Sequence, residues 1–295
     1  MRVTMEVIIP HDGRSRETAV DVVSVAPGRM NGVNARSALF DLFGDHVRPR
    51  GGSARVAALV MLLEPLGVAA PAVRTAVSRM VKQGWLTPVR VDGAPGYALT
   101  PRAVHRLEDA AARIYRTDGA AAWDGRWHVV VPARSGDRSS RERLRNGLAY
   151  LGYAPVGDGT WIASRPSPEL ESLLRAEDTH AERFHARHQG DDAELVRRAW
   201  DLDAIGRAYR RWLGEARTLV ADLPDAPEDE PAFAARSRLV HEWRKFLFTD
   251  PGLPRELLPD HWPGDEAAGF FDAESTRLLP AANRYVDRCL AGDRG

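Results

Sequence analysis

A single cysteine, Cys289, in a chain of 295 residues excludes an intrachain disulfide and any zinc site built on thiolates. Its neighbours Asp287 and Arg288 supply no activating pocket, so a structural or exposed thiol is expected. No apolar run approaches the roughly 20 residues that a membrane-spanning helix needs, and no membrane association is expected. The stretch from Met1 to Val20 alternates apolar and charged pieces and lacks the apolar core and cleavage site of a secretory leader, so a cytoplasmic protein is expected. The GxxxxGK(S/T), HExxH and GxSxG patterns are missing, which leaves the NTPase, zincin and hydrolase readings without an anchor. No catalytic residue, cofactor or metal site is therefore assigned. Net charge is lacking too: 41 basic and 41 acidic residues cancel, whereas nucleic-acid binders ordinarily carry a basic footprint.

The cancellation is global, not local. Between Asn31 and Arg116 twelve basic side chains face six acidic ones, an excess of six. Compensating acid collects in Asp222, Asp225, Glu228, Asp229 and Glu230, a Pro-containing run that reads as a solvated connector. Hydrophobic residues at 44% and charged residues at 28% are ordinary for a globular chain, and the length suggests two or three domains.

From Asn34 the apolar pattern is helical until Pro49, Gly51 and Gly52 stop it. Ser53 is a candidate N-cap for a second, nearly all-apolar helix from Ala54 to Leu66. After the turn Gly67 to Ala70, Pro71 opens a third helix that runs to Gln83 and stops at Gly84. Two helices joined by so short a turn give the helix-turn-helix outline. Trp85 to Val91 and Tyr97 to Thr100 read as strands around a turn from Asp92 to Gly96, a hairpin in the position of a wing. Thr100 then caps a helix starting at Pro101.

A second unit opens on Trp123-Asp124-Gly125-Arg126 and the strand Trp127 to Val131. A helix from Ser139 to Tyr150, a strand pair between Gly152 and Ser164 and a strand from Glu182 to His188 follow, the order of a small ferredoxin-like α/β sandwich. From Asp191 the pattern is helical, with further helices from Pro231 to Phe248 and from Ala267 to Leu290. The fold expected is a multidomain α+β chain. It comprises an N-terminal extension (1–30), a winged helix-turn-helix (31–118), a ferredoxin-like domain (119–190) and a helical C-terminal domain (191–295).

On the third helix Val73, Val77, Met80 and Val81 share one face, which leaves Arg74, Thr75, Ser78, Arg79 and Lys82 on the other. That set suits the major groove, because Arg bonds guanine bidentately, Thr meets a thymine methyl and Lys neutralises phosphate. Arg90 and the hairpin tip are placed for the DNA backbone or minor groove, and Arg48 and Arg50 either grip phosphates or are solvated. Double-stranded DNA is the partner these residues indicate.

Asn34 to Phe40 continuing through Leu42 to Gly52 resembles the opening of the PaaX family of bacterial transcriptional repressors. So do Val73 to Met80 followed by Gly84-Trp85-Leu86, the segment Trp123 to Trp127, and Leu239 to Phe246 with Asp250-Pro251 and Leu257-Leu258-Pro259. The likeness runs from about Asn34 to the end of the sequence. It implies a homodimeric repressor of a catabolic operon, of the phenylacetate or a related aromatic-acid type, with a winged helix, a Cas2-like middle domain and a helical C-terminal domain. It also implies release from the operator by an acyl-CoA effector. A two-fold dimer implies a palindromic operator.

Within the late segment Trp243, Phe246 and Trp262 could wall an effector pocket, with Arg238, His241, Arg244 and Lys245 meeting a phosphate or thioester; core packing explains the aromatics equally well. The Cas2-like resemblance raises one alternative, a metal-dependent nuclease. Asp137 is the one acid near the end of the first middle-domain strand, so a metal site there is poorly supplied. His180, His185 and His188 are expected to be exposed without a metal, because 185 and 188 point to opposite faces of a strand.

Overall fold

A computed structural model describes residues 34–114, 122–133 and 137–292; the anticipated extension 1–30 lies outside the described residues. The chain divides into two compact units. One is drawn from Pro27–Asp118, Ala208–Lys245 and Pro263–Gly295, the other, among the described residues, from Gly119–Arg207 and Phe246–Trp262.

In the first unit Asn34 caps α1 (Ala35–Leu42), its side-chain oxygen accepting from the Arg36 N–H at 2.9 Å. The helix widens into a π turn at Phe43–Val47 and tightens into a 3-10 turn at Arg48–Arg50. Gly51 and Gly52, at φ of 90° and 70°, reverse the chain. Ser53 is not the N-cap that the sequence suggested. Ser53–Arg55 form β1, because the Gly pair lays this segment along the later strand β3 (Ala94–Leu99), with Ser53 opposite Ala98 and Arg55 opposite Gly96. Helix α2 (Val56–Leu63) therefore begins later and ends in a 3-10 turn at Glu64–Leu66.

Helix α3 spans Ala70–Lys82. It stops at Gly84 (φ 71°), where Gly84 donates to the Val81 carbonyl at 3.0 Å and Trp85 to the Met80 carbonyl at 2.9 Å, a Schellman closure. Strand β2 (Leu86–Val91) pairs antiparallel with β3 around a two-residue turn, Asp92-Gly93, with both φ values positive. The turn is thus shorter than expected, and Gly96 lies inside β3. A β-carbon there would come within 2.6 Å of the Ala54 carbonyl oxygen, so the close approach of β1 needs glycine. The sheet order is β1-β3-β2. Thr100 caps α4 (Pro101–Ile114), accepting from Ala103 N–H at 3.3 Å and donating to the Gly84 carbonyl at 2.8 Å.

Three later helices complete this unit: α8 from Ala208 onward (α8 as a whole is Leu202–Val220), α9 (Asp229–Trp243) and α10 (Pro263–Ala291). Phe233 of α9 and Ala282, Val286 and Cys289 of α10 are buried in the same apolar cluster as Leu39, Phe43, Leu62, Val77 and Met80. Burial pushes the Cys289 thiol up, away from a reactive thiolate. Arg236, only 3% exposed, pairs with Asp45 and donates to the Ser275 carbonyl at 3.0 Å. His241 Nδ1 lies 2.7 Å from Asp41 Oδ2, and Arg244 Nε 2.9 Å from Asp41 Oδ1. Asp229 is not part of a solvated connector: it opens α9 and pairs with Arg284 and Arg288 of α10.

The second unit is a four-stranded antiparallel sheet of order β5-β6-β4-β7, with β4 Trp127–Pro132, β5 Ala154–Gly157, β6 Thr160–Ala163 and β7 Ala181–Ala186. Helices α5 (Arg138–Tyr150) and α6 (Leu170–Ala176) bury Leu144, Leu148, Leu170 and Leu174 against Val130 and Trp161. That is the ferredoxin-like order. Trp127 stacks on Trp200 and donates its indole N–H to Asp192 of α7 (Asp192–Ala199) at 2.8 Å.

Two predictions follow from the burial. Arg236→Leu removes the buried guanidinium from Asp45 and is expected to cost about 3 kcal/mol, read as a lower urea midpoint at unchanged slope. His46 is 1% exposed, and burial with the Arg50 charge lowers its pKa from 6.5 to about 4. The unfolded chain therefore binds the proton first. Stability should fall by about 1 kcal/mol per pH unit as pH drops from 6.5 towards 4, and His46→Phe should flatten that slope in melting curves.

Candidate nucleic-acid interface

The third helix sorts its residues by face as its spacing required. Val73, Ala76, Val77 and Met80 are buried, while Pro71, Ala72, Arg74, Thr75, Ser78, Arg79 and Lys82 are exposed. Among the described residues neither Arg74, Arg79 nor Lys82 has an ion-pair partner, so three cations stand free on a single helix face. Thr75 is engaged: its hydroxyl donates to the Pro71 carbonyl at 2.9 Å. Arg90 is exposed on β2, one residue short of the hairpin turn.

The two arginines ahead of β1 are differently disposed. All three nitrogens of Arg50 have partners within the unit: Asp287 Oδ1 at 2.7 Å, the His46 carbonyl at 3.0 Å and Asn283 Oδ1 at 2.9 Å. Arg48 donates to the Gly44 carbonyl at 3.4 Å and lies 3.6 Å from Glu108. A third arginine that the sequence reading passed over, Arg55, donates to the Leu290 and Ala291 carbonyls at 2.8 and 2.9 Å. It thereby caps the C-terminal end of α10, where a cation suits the helix dipole. Nothing in the spacing around Ser53 signals this contact.

The seven residues considered for an effector are drawn from both units. Arg238, His241, Trp243, Arg244 and Lys245 belong to the first unit, Phe246 and Trp262 to the second. Trp243 is buried, stacked on Phe271 at 4.8 Å and tilted against Trp212 at 4.9 Å, so packing consumes it. Lys245 is held by Glu242 at 2.6 Å. Sequence reasoning also missed Asp41 and Asp45, which receive the late-segment cations; their i, i+4 spacing on an apolar helix was the available signal.

In the second unit Asp137 is an N-cap, its Oδ1 accepting from Ser140 N–H at 2.7 Å, so the carboxylate is committed to α5. Among the described residues no group of three or more His, Cys, Asp or Glu is arranged to hold a metal ion. His188 lies 3.4 Å from Asp192, and the His185 ring packs 5.2 Å from that of His128. His128 itself is buried and bonded to the Tyr153 hydroxyl at 2.7 Å; burial and its neighbours His185 and Arg183 push its pKa down. Among the described residues no helix is long and apolar enough to cross a membrane.

Three family models match in succession and span most of the chain: the PaaX-like protein over residues 34–103, the PaaX protein central Cas2-like domain over 120–196 and the PaaX-like protein C-terminal domain over 200–288. The chain belongs to the PaaX family. A curated member, the transcriptional repressor PaaX of Escherichia coli (strain K12), is 29% identical over 265 residues, 86% of this chain and 83% of that protein. A solved structure of an uncharacterized protein from Mycobacterium tuberculosis is similar at a TM-score of 0.59 and 25% identity, over 85% of this chain and 98% of that one. Within this PaaX-family chain the exposed cations of α3 fall inside the first matched segment and Asp137 inside the second.

Bonding pattern separates the roles of these cations. Arg50→Ala should lower stability by about 2 kcal/mol in denaturant titration and leave the salt dependence of DNA binding intact. Lys82→Ala should do the reverse, holding stability while reducing the slope of log affinity against log salt by about 1.

Proposed function

We propose that this PaaX-family chain is a sequence-specific DNA-binding transcriptional regulator, a cytoplasmic repressor of a catabolic operon of the phenylacetate or a related aromatic-acid type. In this reading α2 and α3 with the β2–β3 hairpin form a winged helix-turn-helix and α3 is the recognition helix. Arg74, Thr75, Ser78, Arg79 and Lys82 face the major groove, and Arg90 approaches the backbone from the wing. One observation carries it: the face of α3 opposite the buried Val73, Val77 and Met80 holds three cations without an ion-pair partner among the described residues, in a chain whose net charge is zero. The name of the Escherichia coli relative supports the same reading. Arg48 and Arg50 are assigned to bracing the unit rather than to phosphate.

The family resemblance extends the proposal to a homodimer on a palindromic operator, released by an acyl-CoA. His241 and Arg244 support placing the effector's influence on the late segment, because both hold Asp41 of α1. Footprinting of the promoters beside the gene, followed by gel-shift titration, tests the core of this. Arg74→Ala and Arg79→Ala are each expected to cost about 1–3 kcal/mol of operator affinity. Wild-type affinity in both variants would remove α3 from the interface. Acyl-CoA titration of the operator complex, with sedimentation of the free protein, tests release and dimerisation.

A further inference from the structure

The exposed face of α3 is not charged throughout. Beside Arg74 its first two turns expose Pro71, Ala72 and Thr75, and Ser78, Arg79 and Lys82 follow. Spacings of three and four residues bring these side chains together on the helix surface. Proline and alanine side chains form no hydrogen bonds. Thr75 has already given its one donor proton to the Pro71 carbonyl, at 2.9 Å. What this exposed side chain has left to contribute is its methyl group and an acceptor oxygen, so with Pro71 and Ala72 it makes a mostly hydrocarbon patch flanked by Arg74.

Among the base-pair edges of the major groove, thymine alone presents a methyl group, and the N-terminal part of a recognition helix is the part that meets base edges. We propose that the Pro71, Ala72 and Thr75 patch reads the C5-methyl of a thymine in each half-site, with Thr75 as the specificity-determining residue. This rests on α3 being the recognition helix. Selectivity rests on the methyl contact itself. Cytosine, adenine and guanine have no methyl to fill the patch, and Thr75 has no proton to give a guanine edge unless it gives up its bond within the helix. Arg74 beside the patch and Arg79 further along α3 then supply the hydrogen-bonded part of the readout.

The test is a coupling experiment. Duplexes enriched by the wild type from a random pool are resynthesised with deoxyuridine in place of each thymidine in turn. At one thymine per half-site, loss of the methyl should weaken wild-type binding about four-fold, the equivalent of one buried methylene. Thr75→Ser keeps the hydroxyl bond to Pro71 and deletes the methyl, so it should bind the two duplexes within about two-fold of each other. Thr75→Val, which keeps a methyl, should retain the discrimination. Equal sensitivity in wild type and Thr75→Ser, or no sensitive thymine, overturns the methyl readout alone. Failure to enrich any duplex, or wild-type affinity in Arg74→Ala and Arg79→Ala, overturns the recognition helix itself and the methyl readout with it.

Discussion

A buried guanidinium holds together the unit that carries α3. Arg236 keeps its charge at neutral pH even though burial lowers its pKa to about 10, so it must be answered inside the protein. Asp45, from the π turn after α1, and the Ser275 carbonyl of α10 provide that answer. Separating α9 from α1 would take the Asp45 carboxylate away from a buried guanidinium, and breaking a buried pair costs several kcal/mol. Apolar burial reinforces the tie, because Phe233, Ala282, Val286 and Cys289 fill the same cluster as Leu39 and Met80. The helices late in the sequence are thus part of the scaffold on which α3 stands.

Placed beside this ion pair, the late segment has a different character from the one its composition suggests. Leu239 to Lys245 looks like an aromatic and basic pocket. In the structure Trp243 is stacked in the interior, His241 and Arg244 grip Asp41, and Lys245 is neutralised by Glu242. His241 and Arg244 thus face α1, and α1 packs with α3 in one core. Asp41 and Asp45 are thus the carboxylates that tie α9 and Arg244 to α1 and its π turn.

Local order was legible in the sequence wherever one residue type decides a conformation. Asn34, Thr100 and Gly84 marked helix ends correctly, and the buried and exposed faces of α3 followed from a period of 3.6. The alternation of strands and helices between Trp127 and Ala186 was enough to indicate the ferredoxin-like order. Errors came where distant chain decided the outcome. Ser53 looked like a cap because the strand that captures it begins some forty residues later, at Ala94. Gly96 looked like turn because the close approach of Ala54 is invisible in a linear pattern. Among the candidate contacts, Arg74, Arg79 and Lys82 were recognisable because periodicity fixes exposure. Arg50 was not separable from them, because its partners Asn283 and Asp287 lie more than two hundred residues away.

Arg55 shows what such distances mean for a growing chain. It closes the last carbonyls of α10, and the core around α3 waits for Ala282, Val286 and Cys289. Synthesis runs from the N-terminus at about 5–20 residues per second. The segment bearing α3 leaves the ribosome well before the side chains that finish its core, and it spends that interval incompletely packed. Translation itself thereby sets the order of events: α3 emerges early, and its core is complete only once Cys289 has been made.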